Sequence, residues 1–162
     1  MSKVLFLDFD GVLNPYLYSN YLTKLWSHHK NSGVCSRDQF GDYFAPWCVD
    51  ELKHIVNFTD CYIVVISTWR AYLDVFHFWK ERRLPGIVLG ATPVGIDDKG
   101  PEITRGLEVK IWCEKHGTPE KFAILDDNDE FTGVFGGEQY VQTNPKFGLT
   151  RTETEKVINL LL

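Results

Sequence analysis

The sequence predicts an α/β fold with a parallel five-stranded sheet covered by helices on both faces. Short apolar runs alternate along the chain with longer stretches of helical character, the order that yields parallel strands joined by crossover helices. The run Tyr62-Ile63-Val64-Val65-Ile66 is apolar at every position rather than at every second one, which suits a strand buried on both faces. At 162 residues, 44% hydrophobic and 14% aromatic, the chain is long enough for one domain with a proper core.

The elements follow in order. Lys3–Leu7 is the first strand, built on Val4-Leu5-Phe6-Leu7. Pro15–Ala45 then interrupts the alternation with Tyr16, Tyr18, Tyr21, Trp26, His28, His29, Phe40, Tyr43 and Phe44. Two readings of it stand: a small lid or substrate platform, or a helical excursion whose aromatics pack on the body. Pro46 suits the first turn of a helix over Trp47–Phe58. Cys61–Ile66 is the second strand and Arg70–Arg83 the next helix. Ile87–Leu89 is the third strand, followed by a Gly- and Pro-rich loop at Gly90–Pro101. Arg105–His116 is a helix stopped by Gly117. Phe122–Leu125 and Gln139–Gln142 complete the sheet. Thr150-Arg151-Thr152-Glu153 is a capping-box pattern that opens a last helix running to Leu162. With no repeat, low-complexity tract or linker, residues 1–162 read as a single domain.

Bulk properties exclude some classes of function. A net charge of −5, from 17 basic and 22 acidic residues, gives no global field towards nucleic acid or anionic membrane. No apolar run approaches the ~20 residues that span a bilayer. Met-Ser-Lys before Val-Leu-Phe-Leu-Asp is too short and too soon charged for a secretion signal. Cys35, Cys48, Cys61 and Cys113 contain no Cys-x-x-Cys pair, and free thiols point to a reducing, cytoplasmic setting. His28, His29, Cys35 and Cys48 are too irregularly spaced to predict a zinc site. No obligate protein partner is evident.

The chemistry gathers at strand ends. Asp8-Phe9-Asp10-Gly11-Val12-Leu13-Asn14 follows directly on the first strand. Alternation along an extended chain sends Asp8 and Asp10 to the same side. Two carboxylates so close resist joint ionisation unless a cation or a shared proton compensates. The arrangement suits a hard metal ion, Mg²⁺, with one carboxylate left for chemistry. The second strand ends in Ser67-Thr68-Trp69-Arg70 and the fourth in Asp126-Asp127-Asn128-Asp129. Each has a bland account as a cap or a turn. Three such ends on one sheet edge, where α/β proteins bind ligands, make a site. Arg105 begins a helix, where a positive charge opposes the macrodipole, so it is expected to answer an anion elsewhere. Lys110, five residues on, is an alternative source of that charge.

These stretches resemble the haloacid dehalogenase superfamily of aspartate-nucleophile phosphotransferases. Asp8-Phe9-Asp10-Gly11 looks like its first motif, Ser67 its second, Arg105-Gly106 its third and Asp126-Asp127 its fourth. The likeness runs from Lys3 to about Gln142. Within the superfamily the chain most resembles the phosphatase-like domains associated with Swiss Army Knife RNA repair proteins. Val65-Ile66-Ser67-Thr68-Trp69-Arg70, Ile124-Leu125-Asp126-Asp127 and Gln142-Thr143 with Gly148-Leu149-Thr150 support this. Similarity to the phosphatase half of polynucleotide kinase-phosphatases is looser. Arg105 departs from the Lys usual in the third motif, keeping the charge on a larger planar head.

The resemblance implies a Rossmann-like three-layer sandwich with a small cap or none, and a Mg²⁺-dependent phosphatase. Asp8 would be the nucleophile, giving an aspartyl-phosphate, and Asp10 the acid/base. Asp8, the carbonyl of Asp10, and Asp126 or Asp127 would hold Mg²⁺. Ser67 and Arg105 would hold phosphoryl oxygens, with Gly11, Thr68, Arg70 and Lys110 as candidate substrate contacts. The phosphorylated substrate is open between a small molecule and a nucleic-acid end. For the latter, the aromatics of 15–45 offer stacking and Arg70, Arg82 and Arg83 offer backbone contacts. A small-metabolite phosphatase and a non-catalytic phosphate- or RNA-binding module with a relic site are the alternatives.

Overall fold

A computed structural model describes residues 3–28, 35–95, 103–129, 131, 134–135 and 137–162. The elements in chain order are β1 (Lys3–Leu7), α1 (Tyr16–His28), β2 (Arg37–Asp38), β3 (Gly41–Asp42), α2 (Pro46–Thr59) and β4 (Tyr62–Val65). They continue with α3 (Val75–Glu81), β5 (Ile87–Ala91), α4 (Arg105–His116), β6 (Lys121–Asp126), β7 (Tyr140–Gln142) and α5 (Arg151–Leu161). Five strands form one parallel sheet in the order β5-β4-β1-β6-β7. The strand order reverses at β1, the doubly wound arrangement whose carboxyl edge opens a crevice beside the central strand.

Side-chain alternation along the central strands builds two cores. Leu5, Leu7, Ile63, Val65, Ala123 and Leu125 pack with Leu52, Phe78 and Val157, from α2, α3 and α5. Val4, Phe6, Val64 and Ile124 pack on the other face with Val109 and Trp112 of α4. Both faces of β1 and β4 are thus covered, as their unbroken apolar runs require.

One expected element is corrected. The helix read over Arg70–Arg83 is a short 3-10 turn, Thr68–Ala71, then a break, then α3 starting only at Val75. Asp74 causes the late start: its Oδ1 accepts from the N–H groups of Phe76 (2.9 Å) and His77 (3.0 Å), a strong N-cap. The third strand also runs two residues further than read, through Gly90 and Ala91. At the final helix the Thr150 N–H donates to Glu153 Oε2 at 3.2 Å, as the capping pattern predicts.

The 15–45 segment divides. Residues 16–28 are the helix α1, with only Leu22 buried, and Tyr16, Tyr21 and Trp26 stay exposed. Phe44 is buried and Phe40 packs against the first core. Between helix and core, β2 and β3 form a small antiparallel hairpin. His29, part of the 15–45 segment (29–34) and the 96–101 stretch of the Gly/Pro-rich loop lie outside the described residues. No described helix is long and apolar enough to cross a membrane.

Candidate active site

Register places the chemistry. Leu7 lies opposite Val65 on one side and Leu125 on the other, so Asp8, Ser67 and Asp126 emerge together at the carboxyl edge. The Asp8 N–H still donates to the Leu125 carbonyl (3.0 Å), and the Ile66 N–H to that of Leu7 (3.0 Å). The sheet's own hydrogen bonds thus hold the nucleophile candidate's backbone.

Asp8 is 2% exposed and Asp126 fully buried. Arg105 bridges them: its Nη1 lies 3.0 Å from Asp8 Oδ2 and 2.6 Å from Asp126 Oδ2. The anions that Arg105 was expected to answer are therefore the protein's own carboxylates. Asp8 Oδ1 is buried without a hydrogen-bond partner among the described residues, while the Asp126 Oδ1 accepts from the Asn128 N–H at 2.9 Å. Asp127, half-buried, joins Asp8 and Asp126 in a group whose oxygens lie within 4.8 Å of one another. Lys110 is an exposed side chain lining a separate cleft with Phe122 and Phe135; the structure brings Arg105, not Lys110, to the cluster.

Burial is the first cause of the electrostatics here. It holds the Asp8 carboxyl above its ordinary range, against Arg105, the Phe9 N–H and the Ser67 hydroxyl. Burial, then repulsion from Asp8, pushes Asp126 up to about 7, against Arg105 and the Asn128 N–H. Burial would lower the Arg105 guanidinium, but the two carboxylates outweigh it and hold it above its usual value. The like-charge repulsion read between Asp8 and Asp10 thus falls between Asp8 and Asp126. Asp10 is exposed, and its oxygens accept from Trp69 Nε1 (2.9 Å) and Asn14 Nδ2 (3.3 Å).

Gly11 shows why the turn needs glycine. Its φ is +70°, and a Cβ there would meet Asp127 Oδ2 at 2.3 Å. A side chain would therefore displace one of the clustered carboxylates. Thr143 ties this turn to the end of β6: its Oγ1 donates to the Gly11 carbonyl (2.8 Å) and its N–H to the Asp126 carbonyl (3.0 Å). Ser67 is fully buried and caps the 3-10 turn through the Trp69 N–H, and its hydroxyl favours the charged form of Asp8. Thr68 is exposed at the head of that turn.

Two arginines read as substrate or backbone contacts are turned inward. Arg70 is 4% exposed at its side chain and pairs with Glu108, itself 7% exposed. Its remaining donors go to the carbonyls of Ile66, Ser67, Thr92 and Pro93. Arg82 grips Asp38 of the hairpin with Nε (2.8 Å) and Nη2 (2.7 Å). The sequence hides both positions, because a guanidinium meets carbonyls and a carboxylate, as Arg70 does, or ring faces, as Arg82 does, as readily as a phosphate. Trp69, Asn14, Thr143 and Glu108 are the site's unassigned supports. Trp69 lies within the Ser67–Arg70 strand ending, and Thr143 follows Gln142 at the end of β7. Glu108 carried no local signal, since its partner lies 38 residues away.

The carboxylate pair bridged by one cation lies at the switch point of a doubly wound sheet, where such folds bind ligands, and the fold is the α/β type of the haloacid dehalogenase superfamily. Within it, the family model described as the HAD domain in Swiss Army Knife RNA repair proteins matches residues 4–154, and the chain belongs to that family. Membership suggests a phosphatase-type hydrolase. No curated protein and no solved structure matches the chain.

Proposed function

We propose that the protein is a Mg²⁺-dependent phosphomonoesterase that works through an aspartyl-phosphate on Asp8. The observation that carries this is the state of Asp8: one oxygen held by Arg105, the other buried and unpartnered. A buried carboxylate oxygen without a donor carries a desolvation cost that a cation or an incoming electrophile removes.

The residues fit a magnesium ion. Asp8, Asp126 and Asp127 are hard oxygen donors drawn together, Asp8 Oδ1 is orphaned, and Gly11 leaves room beside Asp127. These carboxylates with the Asp10 carbonyl would hold Mg²⁺, which would neutralise the charge of a phosphate brought against acidic groups.

Asp8 attacks phosphorus in line as the ester oxygen leaves. Asp10 gives that oxygen a proton, then takes one from the water that hydrolyses the aspartyl-phosphate. Ser67 orients Asp8, and with Arg105 it meets the developing charge on the phosphoryl oxygens. The four unpaired thiols support a cytoplasmic setting.

For substrate, the reading is a terminal phosphate on a nucleic acid or nucleotide. A cleft of about 720 Å³ starts at Asp10, and another of about 700 Å³ contains Arg105. They share Thr68 and the almost fully exposed Tyr72, leaving space for a chain end on either side. The family's RNA repair description points the same way. A small-metabolite monoester is the second reading, favoured by the inward commitment of Arg70 and Arg82, which leaves fewer cations for a polyanion.

The test is release of p-nitrophenol from p-nitrophenyl phosphate with Mg²⁺, abolished in Asp8→Asn. Equal release by wild type and variant refutes the enzyme and favours a binding module. Comparing 3′- and 5′-phosphorylated oligonucleotides with mononucleotides and sugar phosphates then separates the two substrate readings.

A further inference from the structure

We propose that Trp69 is the positioning residue for Asp10, an inference that rests on the reading of Asp10 as acid/base. Asp10 stands apart from the Asp8–Asp126–Asp127 group. Its carboxylate is exposed, and a free Asp side chain there would sample several rotamers. Two N–H donors restrict it, and the shorter contact is Trp69 Nε1 to Oδ2 at 2.9 Å, from a residue 59 positions away at the next strand end. Asn14 Nδ2 reaches Oδ1 at 3.3 Å.

The indole is itself confined. Phe9, between the two aspartates, meets it edge-on with centroids 5.8 Å apart. Phe44 lies 5.6 Å away on centroids, and the Arg82 guanidinium 5.6 Å from the ring centroid. Gly41 of the hairpin, at φ +132°, comes so near that a Cβ there would lie 3.1 Å from Trp69 Cη2. The same Arg82 holds the hairpin through Asp38 and the Gly41 carbonyl. Hairpin, arginine and indole thus form one packed unit whose polar edge ends on Asp10.

An indole suits the task because it donates one hydrogen bond and carries no charge. It fixes Oδ2 without forming an ion pair, and Oδ1, which takes only the longer Asn14 contact among the described residues, carries the transferred proton. That proton moves from Oδ1 to the bridging ester oxygen as the P–O bond breaks and its electron pair goes to the departing alcohol. The resulting carboxylate keeps the Trp69 hydrogen bond, and it takes a proton back from the attacking water in the second step.

The test is Trp69→Phe, which keeps an aromatic ring and removes the donor. In single turnover with Mg²⁺, alcohol release is compared between p-nitrophenyl phosphate, whose leaving group departs without a proton, and a simple alkyl phosphate. The expected result is a fall of about 10- to 100-fold for the alkyl ester, a fraction of the roughly 100- to 10,000-fold that general acid catalysis contributes, and little change for the aryl ester. An equal fall for both, or none, overturns the inference and leaves Trp69 a packing residue. A second readout needs no turnover. The Trp69 indole N–H proton signal, assigned by its loss in Trp69→Phe, moves upfield in Asp10→Ala; an unmoved signal also overturns the inference. Wild type without turnover refutes the phosphatase reading, and the indole signal then decides on the contact alone.

Discussion

Replacing Arg70 by Met distinguishes a substrate contact from a structural tie. The guanidinium donates to the carbonyls of Thr92 (3.1 Å), Pro93 (3.1 Å), Ser67 (2.7 Å) and Ile66, and to Glu108. It thereby joins the end of β4, the segment after β5 and the first turn of α4. Met fills similar length but, among the described residues, leaves the buried Glu108 with the Gly95 N–H alone, at 2.8 Å. Removing one partner of a buried pair costs about 3–5 kcal/mol. Against a total stability of about 5–15 kcal/mol, that is a large share. At ~2–4 °C per kcal/mol for a chain of this size, the melting temperature drops by about 6–20 °C. Urea unfolding followed by far-ultraviolet circular dichroism measures the loss. Arg70→Met with Glu108→Leu recovers part of it, because an apolar pair removes the stranded charge. A loss below about 1 kcal/mol, joined to a large rise in KM, would refute the structural reading and return Arg70 to the substrate.

Gly11→Ala places a methyl group against Asp127; the expected outcome is a tenfold or greater loss of Mg²⁺ affinity, read by titrating activity with the metal. In metal-free buffer, folding stability is expected to fall as pH rises from about 4 through about 7. Asp126 is raised to about 7, and Asp8 is raised as well. The folded state therefore holds protons that the unfolded state has released, and that advantage disappears once they titrate. Chemical denaturation at pH 5 and pH 8 checks the sign, and Asp126→Asn flattens the slope. Cys35 is exposed, whereas Cys48, Cys61 and Cys113 are buried, with burial pushing the Cys48 thiol up to about 12. At pH 8, Ellman's reagent is expected to react promptly with one thiol and with all four after unfolding.

The sheet was legible because its signal is local: β1 from Val4 onward and β4 are covered on both faces and so form unbroken apolar runs. The carboxylates at strand ends were legible for the same reason, as polar residues placed where a buried run stops. What escaped depends on distant partners. Nothing near Arg70 distinguishes a guanidinium reaching for phosphate from one reaching for Glu108. Asp74 as a cap is hidden inside a stretch whose flanks both favour helix, so the local pattern predicts too early a start. Trp69 as a donor to Asp10 needs two strand ends brought together before it has meaning.

The order of the strands also bears on how the site comes into being. In β1, Leu5 lies opposite Ile63 on one side and Ala123 on the other, and Gly11 is bonded by Thr143 from 132 residues away. Such long loops must close before their contacts contribute, which slows folding relative to a chain of local pairings. The surroundings of Asp8 therefore depend on pairings far apart in the chain: its burial and its Arg105 contact exist only where β4, β6 and α4 are assembled around β1.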